Sequence, residues 1–193
     1  MTVSPYSYPP NPRPRVPSRE ECLALMEDQG MLPNIRSHSL QVARVAHTLT
    51  HHLLPAHPHL NIALVEAGAL LHDIAKTECL KTKKRHTERG AEILIERGFP
   101  QVAEIVAQHV RLSDGHGNRK SISEVEIVHY ADKRVLHEDI VDLFTRFEDL
   151  KTRYGRTPQE RGMIEALYVD SLKQEAKLFR LLPFAPQELS DHL

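Results

Sequence analysis

Signals that start helices recur along this chain, while signals that start strands do not. Ser18-Arg-Glu-Glu21 is a capping box that leads into Cys22, Leu23, Leu25 and Met26. Pro33-Asn34 opens a second helix, about 34–54, with an apolar stripe of Ile35, Val42, Val45, Ala46, Leu49 and Leu53. Leu54-Pro55-Ala-His-Pro58 breaks it, and Asn61 caps a third helix over about 61–76. A basic link, Lys81 to Arg85, leads to a fourth helix ending at Gly98, and Pro100 opens a fifth through Val102, Ile105, Val106 and His109. Ser113-Asp-Gly-His-Gly-Asn118 is a loop by composition. A sixth helix begins at Ser121 or Ser123 and runs through Val125, Val128, Tyr130, Ala131 and Val135, and a seventh spans about 137–154. Thr157-Pro158-Gln-Glu160, a capping box with proline at the first helical position, opens a long last helix to about Leu182, with room for a short tail helix after Pro186. No glycine-punctuated alternating run and no fixed-period repeat competes, so the expected fold is all-α, a compact multi-helix bundle.

At 193 residues and 40% hydrophobic, the chain can bury one sizeable core and carry a tail. Residues 1–17 hold Pro5, Pro9, Pro10, Pro12, Pro14 and Pro17 without apolar periodicity, which predicts a disordered or extended arm ahead of a domain at 18–193. A net charge of −1 offers no bulk-charge basis for binding nucleic acid or a membrane surface. No run of 18 apolar residues occurs, and Met1–Pro17 lacks a signal-peptide pattern, so a cytoplasmic protein is expected. Cys22 and Cys79 stand alone and support neither a disulfide framework nor a thiolate zinc site. Thirteen histidines direct attention elsewhere, because histidine is the commonest metal ligand and titrates near neutrality.

The sharpest local signal is Leu70-Leu71-His72-Asp73-Ile74-Ala75-Lys76. Adjacent helical residues point about 100° apart, so His72 and Asp73 reach one ion only near a helix end or kink. An imidazole beside a carboxylate suits Fe, Mn, Ni, Co or Zn. Lys76, three residues after Asp73, either neutralises a phosphate at such a metal or serves the helix dipole. Asp132 follows the largely apolar Ile127-Val128-His129-Tyr130-Ala131, where an acid is costly unless paired or metal-bound. His38, His86 and His109 complete an ordered set, each at or near the apolar stretch of a helix.

Taken together, these residues resemble the HD superfamily of metal-dependent phosphohydrolases, and within it the HDIG-type branch. The matching positions are His38 in Arg36-Ser-His38-Ser, His72-Asp73-Ile74-Ala75-Lys76, His86 before Thr-Glu-Arg-Gly90, His109 in Ile105-Val-Ala-Gln-His109, and Asp132 in Tyr130-Ala-Asp132-Lys-Arg134. The resemblance covers about residues 34–155. It implies an HD-type helical bundle in which His38, His72, Asp73 and Asp132 hold one divalent ion. Asp73 would bridge to a second ion held by His86 and His109, giving two ions per chain. Ala75 stands where the branch usually has glycine. Val110 stands where some branches carry a second histidine, which with the absent GYP motif argues against the cyclic-di-GMP-cleaving branch.

The implied activity is hydrolysis of a phosphoester or phosphoanhydride, in a nucleotide or related small phosphorylated molecule, by a metal-bound hydroxide. Asp73 and Lys76 are the candidate catalytic residues, and Lys76, Arg134, Arg111 and Lys133 the candidate substrate contacts. Arg111 and Lys133 read equally well as solvated cations. His129 is either a partner that orients Asp132 or a core residue. His47, His51, His52, His57 and His59 read as a surface cluster, and His116 as a turn residue. A non-catalytic nucleotide-binding regulatory module and, less favoured, a di-iron oxygenase are the alternatives. The last helix closes the core or forms a homodimer seam.

Overall fold

Helix α1 (Arg19–Asp28) begins at the Ser18–Glu21 capping box, with both of its reciprocal hydrogen bonds formed. This is a computed structural model of the chain, and it describes residues 15–82, 84–113 and 121–193. Residues 1–14 of the proline-rich arm, Lys83 of the basic link, and His116 with its loop lie outside the described residues. The end of the arm is tied down: Arg15 Nη1 donates to both Glu21 carboxylate oxygens at 2.8 Å, its guanidinium lies over the Phe99 ring, and Pro17 is buried.

The bundle continues with α2 (Pro33–Leu53), α3 (Ile62–Leu71), α4 (Lys76–Thr82), α5 (His86–Glu96), α6 (Pro100–Gln108) and α7 (Glu124–Lys133). It ends with α8 (Leu143–Tyr154), α9 (Pro158–Phe179) and a 3₁₀ turn at Pro186–His192. The expected caps form at Asn61, Ser123 and Thr157. Gly98, at φ +81°, follows α5 in the left-handed conformation that ends helices. Helix α3 is the axis of the fold. Its one charged residue, Glu66, is paired with Arg19, and Val65 and residues 67–71 are buried, which fits a helix enclosed over its C-terminal half. It packs against α2, α1, α6 and α7, while α5 pairs with α6 and α8 with α9. Among the described residues no helix is long and apolar enough to cross a membrane.

The structure corrects the expected boundaries: the sixth helix, expected through Val135, ends at Lys133, and two further places differ. The helix expected over 61–76 stops at Leu71, and residues 72–75 form a tight turn before α4 starts at Lys76. Ile74 N–H donates to Leu71 O at 3.0 Å and Lys76 N–H to Asp73 O at 2.9 Å, so the backbone switches to i→i−3 bonding there. The helix expected over 137–154 begins only at Leu143. The preceding residues form a two-stranded antiparallel ribbon, β1 (Val135–Leu136) and β2 (Asp139–Ile140), with Val135 opposite Ile140. Its turn places His137 at φ +58°, in the left-handed region that non-glycine residues seldom adopt, Asn, Asp and His more readily than the rest.

Candidate metal centre

The tight turn after α3 brings His72 and Asp73 to one point inside the bundle, with relative exposures of 0% and 1%. Helix α2 supplies His38, the first residue of α5 supplies His86, the residue capping α6 supplies His109, and α7 supplies Asp132. Gly90 lets α5 approach closely: a Cβ there would stand 2.8 Å from Val106 Cγ1 and 3.3 Å from Ile74 Cγ2. That closeness brings His86 over the turn that carries Asp73.

Each carboxylate oxygen of Asp73 faces a different set of histidines. Oδ2 lies 3.3 Å from His72 Nε2, while Oδ1 lies 3.4 Å from His86 Nε2 and 3.6 Å from His109 Nε2. Asp132 Oδ1 lies 3.1 Å from His38 Nε2 and 3.7 Å from His72 Nε2. Two groups of ligand atoms close enough to hold an ion therefore form, His38–His72–Asp73 and Asp73–His86–His109, and Asp73 is common to both.

The backbone presets the histidines for this role. His72 Nδ1–H donates to Ala69 O at 2.7 Å, His109 Nδ1–H to Val106 O at 2.8 Å, and His38 Nδ1–H to His137 O at 3.0 Å. A ring nitrogen bonded to a carbonyl must carry the proton, so in each neutral ring Nε2 is the lone-pair nitrogen, and in each it points into the centre. His72 Nε2 and Asp73 Oδ1 are buried without a hydrogen-bond partner among the described residues. Two unpaired buried polar atoms that face one another's neighbours are costly unless a cation meets them.

The electrostatics point the same way. Burial opposes ionisation of both carboxyls, yet their neighbours prevail. His72 and Lys76 hold Asp73 well below the usual carboxylate range, and Lys133 and His38 do so for Asp132. Burial lowers His72, but Asp73 and Asp132 outweigh it and raise it, so the point between the two carboxylates favours positive charge. Burial pushes His86 down to about 4 and lowers His109, which keeps both imidazoles neutral and able to ligate at pH 7. The donor set of imidazole and carboxylate thus fits one or two divalent ions of the borderline class.

A family profile described as HD domain matches residues 35–135 and so spans every one of these side chains. The chain belongs to the HD domain family. HD domains bind divalent metals, and the family is generally one of hydrolases. Ribonuclease Y of Fervidobacterium nodosum is 35% identical over 101 residues, which cover 51% of this chain and 17% of that protein. No solved structure matches the chain.

Within this HD domain the remaining candidates separate. Lys76 belongs to the centre, its Nζ 2.7 Å from Asp73 Oδ2. Lys133 flanks it, but its ammonium is committed to Asp132 Oδ2 at 2.6 Å and His109 O at 2.9 Å, so it braces a candidate ligand and leaves no free charge for substrate. Arg134 is not at the centre. Its buried guanidinium donates to Val141 O, Tyr130 Oη and Pro186 O, and ties the end of α7 to the ribbon and the C-terminal segment. Arg111 is exposed and lines grooves away from Asp73. His129 is a core residue bonded through Nδ1 to Gln174 Oε1 at 2.7 Å.

Three residues that sequence reasoning did not select, Arg146, Arg153 and Tyr154 of α8, line the two openings that lead to Asp73 and Lys76. Their i, i+7 and i+8 spacing marks one face of a helix but carries no chemical signature. A fourth, His137, acts through its carbonyl, which a sequence cannot display.

Proposed function

We propose that this HD domain is a metal-dependent phosphohydrolase with a two-ion centre, in which Asp73 bridges the ions and cleavage occurs at a phosphoester or phosphoanhydride of a nucleotide or related small molecule. The observation that carries the reading is the division of Asp73. One carboxylate oxygen faces His72, the other faces His86 and His109, and both His72 Nε2 and Asp73 Oδ1 lack partners among the described residues. His38, His72 and Asp132 would hold the first ion with Asp73, and His86 and His109 the second. When bound, such ions lower the pKa of water towards ~7 and polarise phosphoryl oxygens.

The chain's own residues supply the rest. The carbonyls of Ala69, Val106 and His137 fix the imidazole tautomers, so that in each neutral ring the Nε2 lone pair faces the centre. Lys133 keeps Asp132 ionised and oriented. Lys76 is about one-third exposed and lines both openings, so its ammonium can swing from Asp73 to a phosphoryl oxygen and stabilise the charge that develops there. The name of the Fervidobacterium relative attaches to cleavage of RNA, a phosphodiester, which is within the bond class proposed here.

The test is a panel of nucleotides and phosphoesters supplied with Mn, Fe, Co, Ni or Zn. Turnover by the wild type that falls to background in a His72→Ala, Asp73→Ala variant supports the reading. No turnover with any metal at full ion content would favour a regulatory module that binds without cleaving.

A further inference from the structure

Two openings reach the Asp73 centre, one past His38 and His137, the other past His86, His109 and Lys133, and the same face of α8 borders both. That face carries Arg146 and Arg153 at i and i+7. Asp149 joins them: Oδ2 accepts from Arg146 Nη1 at 3.3 Å and Oδ1 from Arg153 Nε at 2.9 Å. Arg153 Nη2 also donates to His137 Nε2 at 3.3 Å. On α8 itself one carboxylate thus serves two guanidiniums, a surplus of one positive charge on this helix face, part of which acts on Asp132.

The surplus sits on donors already aimed and short of partners. The Arg146 side chain is 12% exposed, and its only hydrogen bond among the described residues is the one to Asp149. Its Nε is buried with no partner among them. A guanidinium has five N–H donors in a rigid fork, and donors left without protein partners at an opening are free to meet water or an anion that enters it. None of the hydrogen bonds of this pair reaches Asp73, whereas Lys76 is already there at 2.7 Å. The attacked phosphoryl group therefore has its own cation, and the α8 pair is a separate one at the mouth. Beside it Tyr154 presents a ring that is 55% exposed, an apolar face for a base.

We propose that Arg146, Arg153 and Tyr154 form a second phosphate subsite, which holds a phosphate of the substrate adjoining the one attacked, with its base against Tyr154. Asp149 is then a positioning residue that splays the two forks. The proposal rests on the hydrolase reading and deepens it by naming the substrate class: a nucleotide with at least two directly linked phosphates, a nucleoside polyphosphate. Planar guanidinium forks suit this better than lysine would, because they meet phosphate oxygens two at a time.

Binding separates this from the hydrolase reading. The metal-loaded full chain is titrated by calorimetry with AMP and with α,β-methylene-ADP, which adds one phosphate in a form resistant to hydrolysis. The wild type is expected to prefer the diphosphate about ten-fold, and an R146Q/R153Q variant to lose that preference while AMP affinity changes less than about two-fold. R153Q alone alters a partly exposed side chain and guards against misfolding of the double variant, and it is expected to lose about three-fold. Ion content is read for each protein. Equal affinity of the wild type for both probes, no binding of either, equal loss of both in R146Q/R153Q, or a wild-type preference in R153Q would overturn the subsite. If no phosphoester is hydrolysed but the preference is seen, the hydrolase reading falls and the subsite stands. If hydrolysis is seen without the preference, the subsite alone falls.

Discussion

Histidines gather in two parts of this molecule, and only one gathering has the makings of a metal centre. At the buried turn after α3, rings from four elements aim Nε2 at carboxylate oxygens, and backbone carbonyls hold three of them by Nδ1. Near the end of α2, His51, His52, His57, His59 and His192 are also neighbours, and their rings meet as those of the buried turn do, but among the described residues no ion pair joins them to a carboxylate. His51 and His52 lie edge to face with centroids 5.5 Å apart, as do His57 and His59, and His192 stacks on Phe184 at 4.0 Å. His59 Nε2 is turned to Ile122 O. Among the described residues no trio of ligand atoms close enough for an ion forms there. Burial lowers His52 and His57, and neighbouring imidazoles add to the shift, whereas at the turn after α3 two carboxylates outweigh burial and raise His72. The density of a residue type thus says little. Convergence of lone pairs on a shared carboxylate is what marks a site.

The strongest way to break this contrast is Asp73→Asn. It keeps shape and removes the charge that both histidine groups share, so ion content should fall to background and turnover by about 10³-fold or more, while a His51→Ala, His52→Ala variant should keep full ion content. Elemental mass spectrometry with a turnover assay checks both.

A third kind of histidine sharpens it. His129 is buried, and burial pushes it from 6.5 down to about 3. In the unfolded chain it takes a proton below about 6.5, which the folded chain resists. Its contribution is therefore intact above pH 6.5 and is lost progressively as pH falls towards 3. His129→Phe should cost about 1–3 kcal/mol at pH 7, because Gln174 Oε1 loses its donor, and should flatten the acid loss between those limits; urea unfolding across pH reads both. Gly90→Ala should cost about 1 kcal/mol net, since a Cβ 2.8 Å from Val106 outweighs the gain in helix propensity, and it should weaken retention of the ion that His86 would hold. The smallest effect is expected for exposed His51→Ala, within about 0.5 kcal/mol by the same unfolding assay.

Much of the fold was legible because it is written in local terms. Ser18, Asn61, Ser123 and Thr157 each cap the helix they precede, and the all-helical reading follows from them. His38, His72, Asp73, His86, His109 and Asp132 were legible as an ordered set and come together in space. What was hidden depends on partners remote in sequence. The break at residues 72–75 has no glycine or proline to announce it, and the ribbon turns through His137-Glu138, which lacks the usual turn residues. Arg134 read as a substrate contact because basic residues beside a ligand invite that reading, yet Val141 and Pro186 claim its guanidinium. Nothing local marks Arg146 and Arg153, because what sets them apart is that α8 borders the openings.

The most direct test of the central claim is ion stoichiometry, measured by elemental mass spectrometry on wild type purified without chelator and on a His86→Ala, His109→Ala variant. The account predicts about two ions per chain in the wild type and about one in the variant, with the remaining ion held by His38, His72, Asp73 and Asp132. Equal stoichiometry in the two proteins would contradict it and remove Asp73 as a bridge.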